Sequence, residues 1–345
     1  MNILLTCVGR RSYIVDYFKQ AVGVRGKVIA TNSIPNTTGM LAADIAYVVP
    51  TVYDLNYINT LLDICEKEKI SAVVSLFDID LPYLASSIDK FEERGVKVWV
   101  SDPRVVEIAN DKYKTFLFLT EHGFRVPKTY LYQSDLLADL NRGKIDFPIV
   151  VKPRFGMGSI SIFTASDVSE LYFIESYVIK RIRDSYISIL SKDADSTVIF
   201  QEYIEGQEYA LDIFNSYDCK TLSVVAKKKL EMRAGETDGA VTIKWPALET
   251  LGWDLGKLFK HRGNMDVDAI WSERLKQIFI LEVNPRFGGG YPFSHLAGVN
   301  FPMAIVQITE GKAPDMQLFT WKEGITGLKY IFPKKVSPDK NHEYL

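Results

Sequence analysis

Five short apolar runs in the first hundred residues most narrow what this chain can become: NILLTCV (2–8), KVIATN (27–32), IAYVV (45–49), SAVVSL (71–76) and VKVWV (96–100). They are too short for helices and rich in β-branched residues, so they read as strands. Segments with helical spacing lie between them: Tyr13, Val15, Phe18 and Val22, then Ile58, Leu61, Leu62 and Cys65. Apolar strands alternating with amphipathic helices predict a parallel sheet with helices on both faces. In such sheets small ligands sit at the C-terminal ends of the strands. Gly9, Arg10, Arg11 and Ser12 follow the first run, and Asp78, Ile79 and Asp80 follow the fourth, so both loops are placed to touch a ligand. Loop aspartates commonly cap the next helix, and capping is the reading preferred for Asp78 and Asp80.

Further along, residues 102–127 predict two short helices, with Asp102 and Pro103 at the first start, Gly123 at the second stop and Pro127 at the exit. Residues 146–165 predict a β-hairpin whose entering strand ends at Lys152 and whose turn holds Gly156, Gly158 and Ser159. Small residues there let backbone N–H groups approach an anion. A long helix is expected over 167–190, followed by an Asp-rich connector at 191–196. Strand-like runs at 196–204, 208–214, 221–230, 240–245, 265–271 and 277–284, interrupted by a helix near 247–260, predict a large antiparallel sheet. The boundaries drawn are 1–110, 111–196 and 197–345.

One of these runs, FILEVNPRF (279–287), carries polar residues where a core strand should not. Side chains alternate on a strand, so Leu281 and Val283 are expected to face a core, while Glu282, Asn284 and Arg286 share the other face. A carboxylate and an amide oxygen at that spacing form a hard ligand set suited to magnesium, and an arginine beside them suits a phosphate. A solvated face with a Glu–Arg pair explains the same pattern, and on this stretch alone the two readings stay open.

The whole chain excludes several classes. A net charge of −2 gives no basic surplus for nucleic acid or an anionic membrane. The three cysteines, Cys7, Cys65 and Cys219, form no CxxC pair, and the four histidines form no HExxH pattern, which argues against a zinc hydrolase. Isolated cysteines fit a reducing cytosol. The start, MNILLTCVGRR, lacks the charge order of a signal peptide, and no run reaches the ~18 apolar residues of a membrane span. The expectation is a cytoplasmic protein.

Taken in order, the lysines of DKYK (111–114), Lys152 before its glycine loop, QEYIEGQE (201–208) and the acidic strand pair ending in NPR resemble the ATP-grasp superfamily. The likeness is to its carbamoyl-phosphate synthase and biotin carboxylase branch. It covers about residues 105–300 well and the first 104 only as a general pattern. The fold implied is an N-terminal parallel α/β domain followed by a two-lobed ATP-grasp domain, whose small middle lobe, carrying Lys152 and the glycine loop, closes over ATP. By this resemblance Lys112 and Lys152 bind phosphates, with Lys114 the less favoured alternative to Lys112, and Gly156, Gly158 and Ser159 form the lid over the triphosphate. Glu202, Tyr203 and Ile204 lie along the adenine edge, and Glu208 accepts from the ribose hydroxyls. Asp268, fourteen residues before Glu282, joins Glu282 and Asn284 as magnesium ligands, with Asp266 a competitor two residues earlier. Arg286 holds the transferred phosphoryl group, and Arg233 approaches the γ-phosphate or the activated carboxylate. Lys227 to Lys229 read as a solvated charge run. The RFGGGYPFSHLAGVN stretch (286–300) is either the turn of an acceptor pocket or plain turn chemistry.

The function implied is an ATP- and magnesium-dependent carboxylate–amine ligase acting through an acyl phosphate. One or two magnesium ions serve it, with manganese an acceptable substitute. Its partners are a small carboxylate and a small amine, and a homodimer is compatible with it. A complete carbamoyl-phosphate synthase is disfavoured, because only one such unit is present and no glutaminase motif accompanies it. A full carboxylase is disfavoured by the lack of a biotin-carrier segment. The alternative from another class is a sensor or assembly subunit that holds ATP without ligation. A nicotinamide-dependent dehydrogenase fits poorly, because Gly9 stands alone without GxGxxG.

Overall fold

The computed structural model describes the chain apart from residues 157–160, 186, 191–195, 334, 337–342 and 345, and apart from the side chains of 187, 343 and 344. Gly158 and Ser159 of the glycine loop therefore lie outside the described residues, as does most of the 191–196 connector.

Strands β1 (Asn2–Thr6), β2 (Val28–Asn32), β3 (Ile45–Val48), β4 (Ile70–Ser75) and β5 (Lys97–Val98) form the expected parallel sheet, ordered β3-β2-β1-β4-β5. Alternate residues enter different cores. Ile3 and Leu5 pack with Ile14, Val15 and Phe18 of helix Ser12–Val22, whereas Leu4 packs with Leu61 and Ile64 of helix Tyr57–Lys67. Burying a side chain of Phe18's size contributes about 1.5–3 kcal/mol, so the two layers are held mainly by such apolar contacts. The strand order sets the C-terminal ends of β1 and β4 side by side.

A small antiparallel sheet, ordered β6-β9-β7-β8, consists of β6 (Thr129–Tyr130), β7 (Ile149–Pro153), β8 (Phe163–Ala165) and β9 (Val198–Glu202). Leu171, Val178 and Ile182 of helix Val168–Arg183 cover it. A six-stranded antiparallel sheet, ordered β14-β13-β10-β11-β12-β15, follows from β10 (Gln207–Asn215), β11 (Thr221–Arg233), β12 (Glu236–Thr242), β13 (Gly263–Ser272), β14 (Gln277–Asn284) and β15 (Thr326–Leu328). β16 (Glu343–Tyr344) pairs parallel with β3. Among the described residues no helix is long and apolar enough to cross a membrane.

The boundaries drawn from the sequence cut through packed units. β9, assigned to the large sheet, pairs with β7 (Ile149 opposite Glu202) in the small one, because an apolar strand pattern does not say which sheet it joins. Helix Lys112–Glu121, assigned to the small lobe, buries Leu119 against Leu211 and Val267 of the large sheet. The first core also takes Phe287, Tyr291, Phe301 and Ile305 from the C-terminal third. The predicted 167–190 helix ends at Arg183, with Asp184 as its C-cap, and a separate turn of helix spans Ile187–Leu190.

One face of the large sheet is apolar and rests on Leu248, Leu255 and Phe259 of helix Pro246–Phe259. The other carries a polar row. Lys227 and Lys229 lie on that face and are buried, against the expectation of a solvated run, because alternate residues of β11 turn inward. Lys227 donates to Asp212 and to Ser294 Oγ (2.9 Å), and Asn264 Nδ2 donates to Asp212 Oδ1 (3.0 Å). Removing one member of a buried ion pair strands the other charge. Lys227→Met should therefore cost about 3–5 kcal/mol in urea unfolding, and adding Asp212→Leu should recover much of it.

Candidate active site

The site is set by the pairing of β13 with β14. Asp268 lies opposite Glu282, and Asp266 lies opposite Asn284. The register shifts between Asp268 and Ala269, which pairs with Ile280, so Leu281 is an extra residue in β14. Such a bulge changes the alternation. Ile280 and Val283 share the large core, whereas Leu281 packs near Ile204, Ile270 and Phe279 on the opposite side. The expectation that Leu281 and Val283 share a face is thus corrected: the bulge turns Leu281 to the same side as Glu282 and Asn284.

Cations close in from two directions. Lys112 opens its helix, whose N-cap Asp111 accepts from the Tyr113 and Lys114 N–H groups. Its Nζ donates to the Gly156 carbonyl and lies 3.1 Å from Glu282 Oε1. Arg154, which the sequence reading passed over, grips Asp111 through Nε (2.9 Å) and Nη2 (2.7 Å), tying the end of β7 to the helix that presents Lys112. Lys152 is buried and donates to Gln201 Oε1 (2.8 Å), and Gln201 donates to Thr129 (2.8 Å). Burial, then the nearby charge of Lys112, lowers the Lys152 ammonium to about 8, while Glu282 and Asp268 oppose that shift. Glu282 is pushed up by burial, but Lys112 and Lys152 outweigh it and hold the carboxyl below its usual range. Burial pushes Asp268 up despite its ion pair with Lys229.

Lys229 is a further member that the sequence reading missed. Its Nζ lies 2.7 Å from Asp268 Oδ1 and 3.1 Å from Glu208 Oε2. The signal was present in the period of two: Glu208 and Asp212, Lys227 and Lys229, and Asp266 and Asp268 fall on alternate positions of adjacent strands.

The other expected residues sort as follows. Lys114 pairs with Glu107 at the surface. The Glu202 N–H donates to the Lys128 carbonyl (2.8 Å) and its Oε2 accepts from the Lys128 N–H (3.1 Å), so the end of β9 is pinned. Ile204 is buried and Tyr203 is exposed. Arg233 is half-exposed at the tip of the β11–β12 hairpin and pairs with Asp238 (2.5 Å), away from the carboxylate pair. Gly156 stands beside Lys112 with φ 101°, a backbone that favours glycine.

Arg286 points back to the first domain. Its Nε and Nη2 both reach Asp78 Oδ2 at 2.7 Å, and Asp266 Oδ2 is 3.9 Å from Nη1. Arg11 donates to the carbonyls of Leu76 and Phe287 (2.7 Å) across the same seam. The capping roles expected for Asp78 and Asp80 do not occur. Asp78 is committed to Arg286. Asp80 sits at the N-cap position of helix Leu81–Ala85 with no side-chain cap bond; it is fully buried and accepts from Thr6 Oγ1 (2.5 Å), Ser75 and Tyr57 (3.2 Å). Burial raises it to about 6 even with those donors.

Asp268, Glu282 and Asn284 offer only hard oxygen donors. Among the described residues no three His, Cys, Asp or Glu side chains gather as a self-sufficient metal cluster. Two carboxylates and an amide match a cation that keeps other oxygen ligands from water or phosphate, as magnesium does.

A model described as an ATP-grasp domain matches residues 109–290, more than half of the chain. The chain belongs to the ATP-grasp family. A model described as a PylC-like N-terminal domain matches residues 3–99. This ATP-grasp chain is similar to the carbamoyl phosphate synthase large chain of Clostridium acetobutylicum, at 23% identity over 299 residues, covering 83% of this chain and 26% of that one. It thus spans about a quarter of the length of the curated relatives it matches. Its fold is similar to the biotin carboxylase domain of the 2-oxoglutarate carboxylase of Hydrogenobacter thermophilus, solved with MgADP, ADP and bicarbonate: TM-score 0.69, 16% identity, 90% of this chain and 70% of that one. It is also similar to an L-amino acid ligase of Bacillus licheniformis: TM-score 0.65, 19% identity, 89% of this chain and 73% of that one.

The ATP-grasp strand pair is sterically tight at its far end. A Cβ added to Gly288 would stand 2.1 Å from the Asp266 carboxyl carbon, whereas one on Gly289 would meet Glu236 at 3.3 Å. Gly288→Ala should cost about 1–3 kcal/mol in urea unfolding, as overpacking does, and Gly289→Ala clearly less.

Proposed function

We propose that this chain is an ATP- and magnesium-dependent ligase that joins a small carboxylate to a small amine. The observation that carries the proposal is Lys112 Nζ 3.1 Å from Glu282, whose carboxylate faces Asp268 across the strand pair, with the buried Lys152 ammonium close enough to be influenced by both carboxylates. Two ammonium groups opposite a hard oxygen set suit a polyphosphate and its counter-ion.

In this reading Lys112 and Lys152 hold the phosphates, and Glu208 accepts from the ribose. The apolar group of Ile204, Ile270, Phe279 and Leu281 supports the base. Gly156, with Gly158 and Ser159, covers the phosphates. Asp268, Glu282 and Asn284 would hold magnesium, which when bound neutralises phosphate charge. The substrate carboxylate oxygen attacks the γ-phosphorus, and the bond to the departing ADP oxygen breaks. The amine nitrogen then attacks the acyl carbon, the bond to phosphate breaks, and the proton leaves with the phosphate or to water. Arg286 lies two residues past Asn284; Asp78 takes its Nε and one Nη2 proton, and in this reading the N–H groups left over would hold the transferred phosphoryl oxygens. Arg233 is the weaker of the two arginines for this role, being half-exposed and paired with Asp238. The chain's own work is positioning and charge neutralisation. A cytoplasmic setting and small-molecule partners belong to the same proposal.

ADP release measured across a panel of carboxylic acids and amines tests it. A pair-dependent release that Glu282→Ala reduces by about 10²-fold or more is expected. Tight nucleotide binding without turnover on any pair would favour the sensor.

A pH profile gives a second check. Lys152 loses its proton above about 8, so nucleotide affinity should fall as pH rises through that value. Lys152→Arg, whose guanidinium stays charged, should flatten the decline in a calorimetric titration of ADP.

A further inference from the structure

The small sheet carries a polar row on the face that helix Val168–Arg183 does not cover. Tyr130, Val151 and Phe200 pack with that helix, so their neighbours Thr129, Lys152 and Gln201 turn to the other side. Thr129 of β6 stands opposite Gln201 of β9. Gln201 pairs with Val150 of β7, which places Lys152 on its diagonal. Cross-strand neighbours of this kind are within reach of long side chains. All three residues are buried.

The direction of each bond follows from the donors. Thr129 Oγ1 donates to the Pro127 carbonyl (3.0 Å), so it accepts from Gln201 Nε2 (2.8 Å). With its nitrogen committed, the amide presents Oε1 to Lys152 Nζ (2.8 Å). An ammonium has donors only, so a flipped amide would set N–H groups against N–H groups. What sets Lys152 apart is the charge of its partner. Lys112 faces Glu282, Lys227 faces Asp212, and Lys229 faces Asp268 and Glu208. Among the described residues no carboxylate stands in ion-pair contact with Lys152, and its acceptor is a neutral amide. Charges act on it from further off. Burial, then Lys112 on its helix, favours the neutral amine, while Glu282 of β14 and Asp268 of β13 favour the ammonium.

We infer that Gln201, anchored by Thr129, is the positioning residue of Lys152: it fixes the ammonium in place without neutralising it. A glutamate at 201 would fill the same space and accept the same hydrogen bond, but its charge would cancel the one a phosphate is to meet. The amide satisfies the buried donor and leaves the charge free. That a phosphate uses this charge rests on the function proposed above; the hold on Lys152 does not.

The test uses the full chain carrying isotope-labelled lysine. The Lys152 Cε resonance, assigned by its loss in Lys152→Arg, gives the pH midpoint of that one ammonium, and calorimetry gives the affinity for MgADP. Gln201→Glu should move the midpoint up by about one pH unit or more and weaken MgADP binding at neutral pH by about tenfold. Gln201→Leu, which removes the acceptor, should move the midpoint down. A glutamine with a merely structural part would change the urea midpoint and leave the titration of Lys152 where it is. If the Gln201 variants fail to fold, Thr129→Val removes the anchor alone and should lower the Lys152 midpoint, and Thr129→Ser should restore it. A Lys152 midpoint unmoved in Gln201→Glu, or in Thr129→Val where only that variant folds, overturns the inference. A midpoint that moves while MgADP affinity stays level, or while MgADP does not bind at all, keeps the role of Gln201 and loses the phosphate reading of Lys152.

Discussion

A single extra residue in β14 sets the site's geometry. Because strand side chains alternate, Glu282 would share a face with Ile280 in a regular strand, and Ile280 belongs to the large core. The bulge at Leu281 breaks that rule once, so β14 packs Ile280 and Val283 inward and still turns Leu281 and Glu282 to the other side. A one-residue change of register reverses every side chain beyond it. The polar end of the site and the apolar group beside it therefore stand on one face only because of that position.

The second constraint is how that face is closed. Asp78 from the first domain and Arg286 from the loop after β14 form a buried pair, and Arg11 bonds the Phe287 carbonyl across the same seam. A buried ion pair is weak evidence for stability, since desolvation offsets most of the attraction. Its value here is geometric. It fixes the C-terminal ends of β1 and β4 against the end of β14, and apolar contacts such as Phe18 on Phe287 supply the adhesion (ring centroids 6.0 Å). The cavity of about 520 Å³ beside Lys112 and Glu282 follows from that docking, because part of its wall comes from the loop after β4 and part from β14 and helix Pro103–Asn110.

Much of this was legible in the sequence, and the parts that were not share a cause. Local patterns revealed the parallel strands, the β7–β8 hairpin, the helices at 103–110 and 112–121, and the acids of β13 and β14, because each depends on spacing within a segment. The partner of a charge is not a local property. Lys227 and Lys229 looked solvated, although their period of two matched Asp212 and Glu208 on the neighbouring strand. Asp78 and Asp80 looked like caps, because their true partners, Arg286 for one and Thr6, Ser75 and Tyr57 for the other, are distant in the chain. The bulge was hidden for another reason: Leu281 is as apolar as its neighbours, so the run reads as a regular strand.

The same long-range pairing explains how a buried face can carry so many charges. Each anion near the centre has an ammonium or guanidinium against it: Asp212 with Lys227, Asp268 and Glu208 with Lys229, Glu282 with Lys112, Asp78 with Arg286. Pairing of this kind offsets part of the cost of burying the charges. It does so unequally. Two nearby lysines hold Glu282 below its usual range, while Asp268 is driven up by burial and by Glu282 opposite. A pair of facing carboxylates with divergent proton affinities binds a divalent cation most readily when the less acidic one is also freed of its proton. Lys229 against Asp268 opposes its rise and eases that step, and under the proposed function a polyphosphate arriving with its own cation would take over Lys112 and Lys152 in exchange.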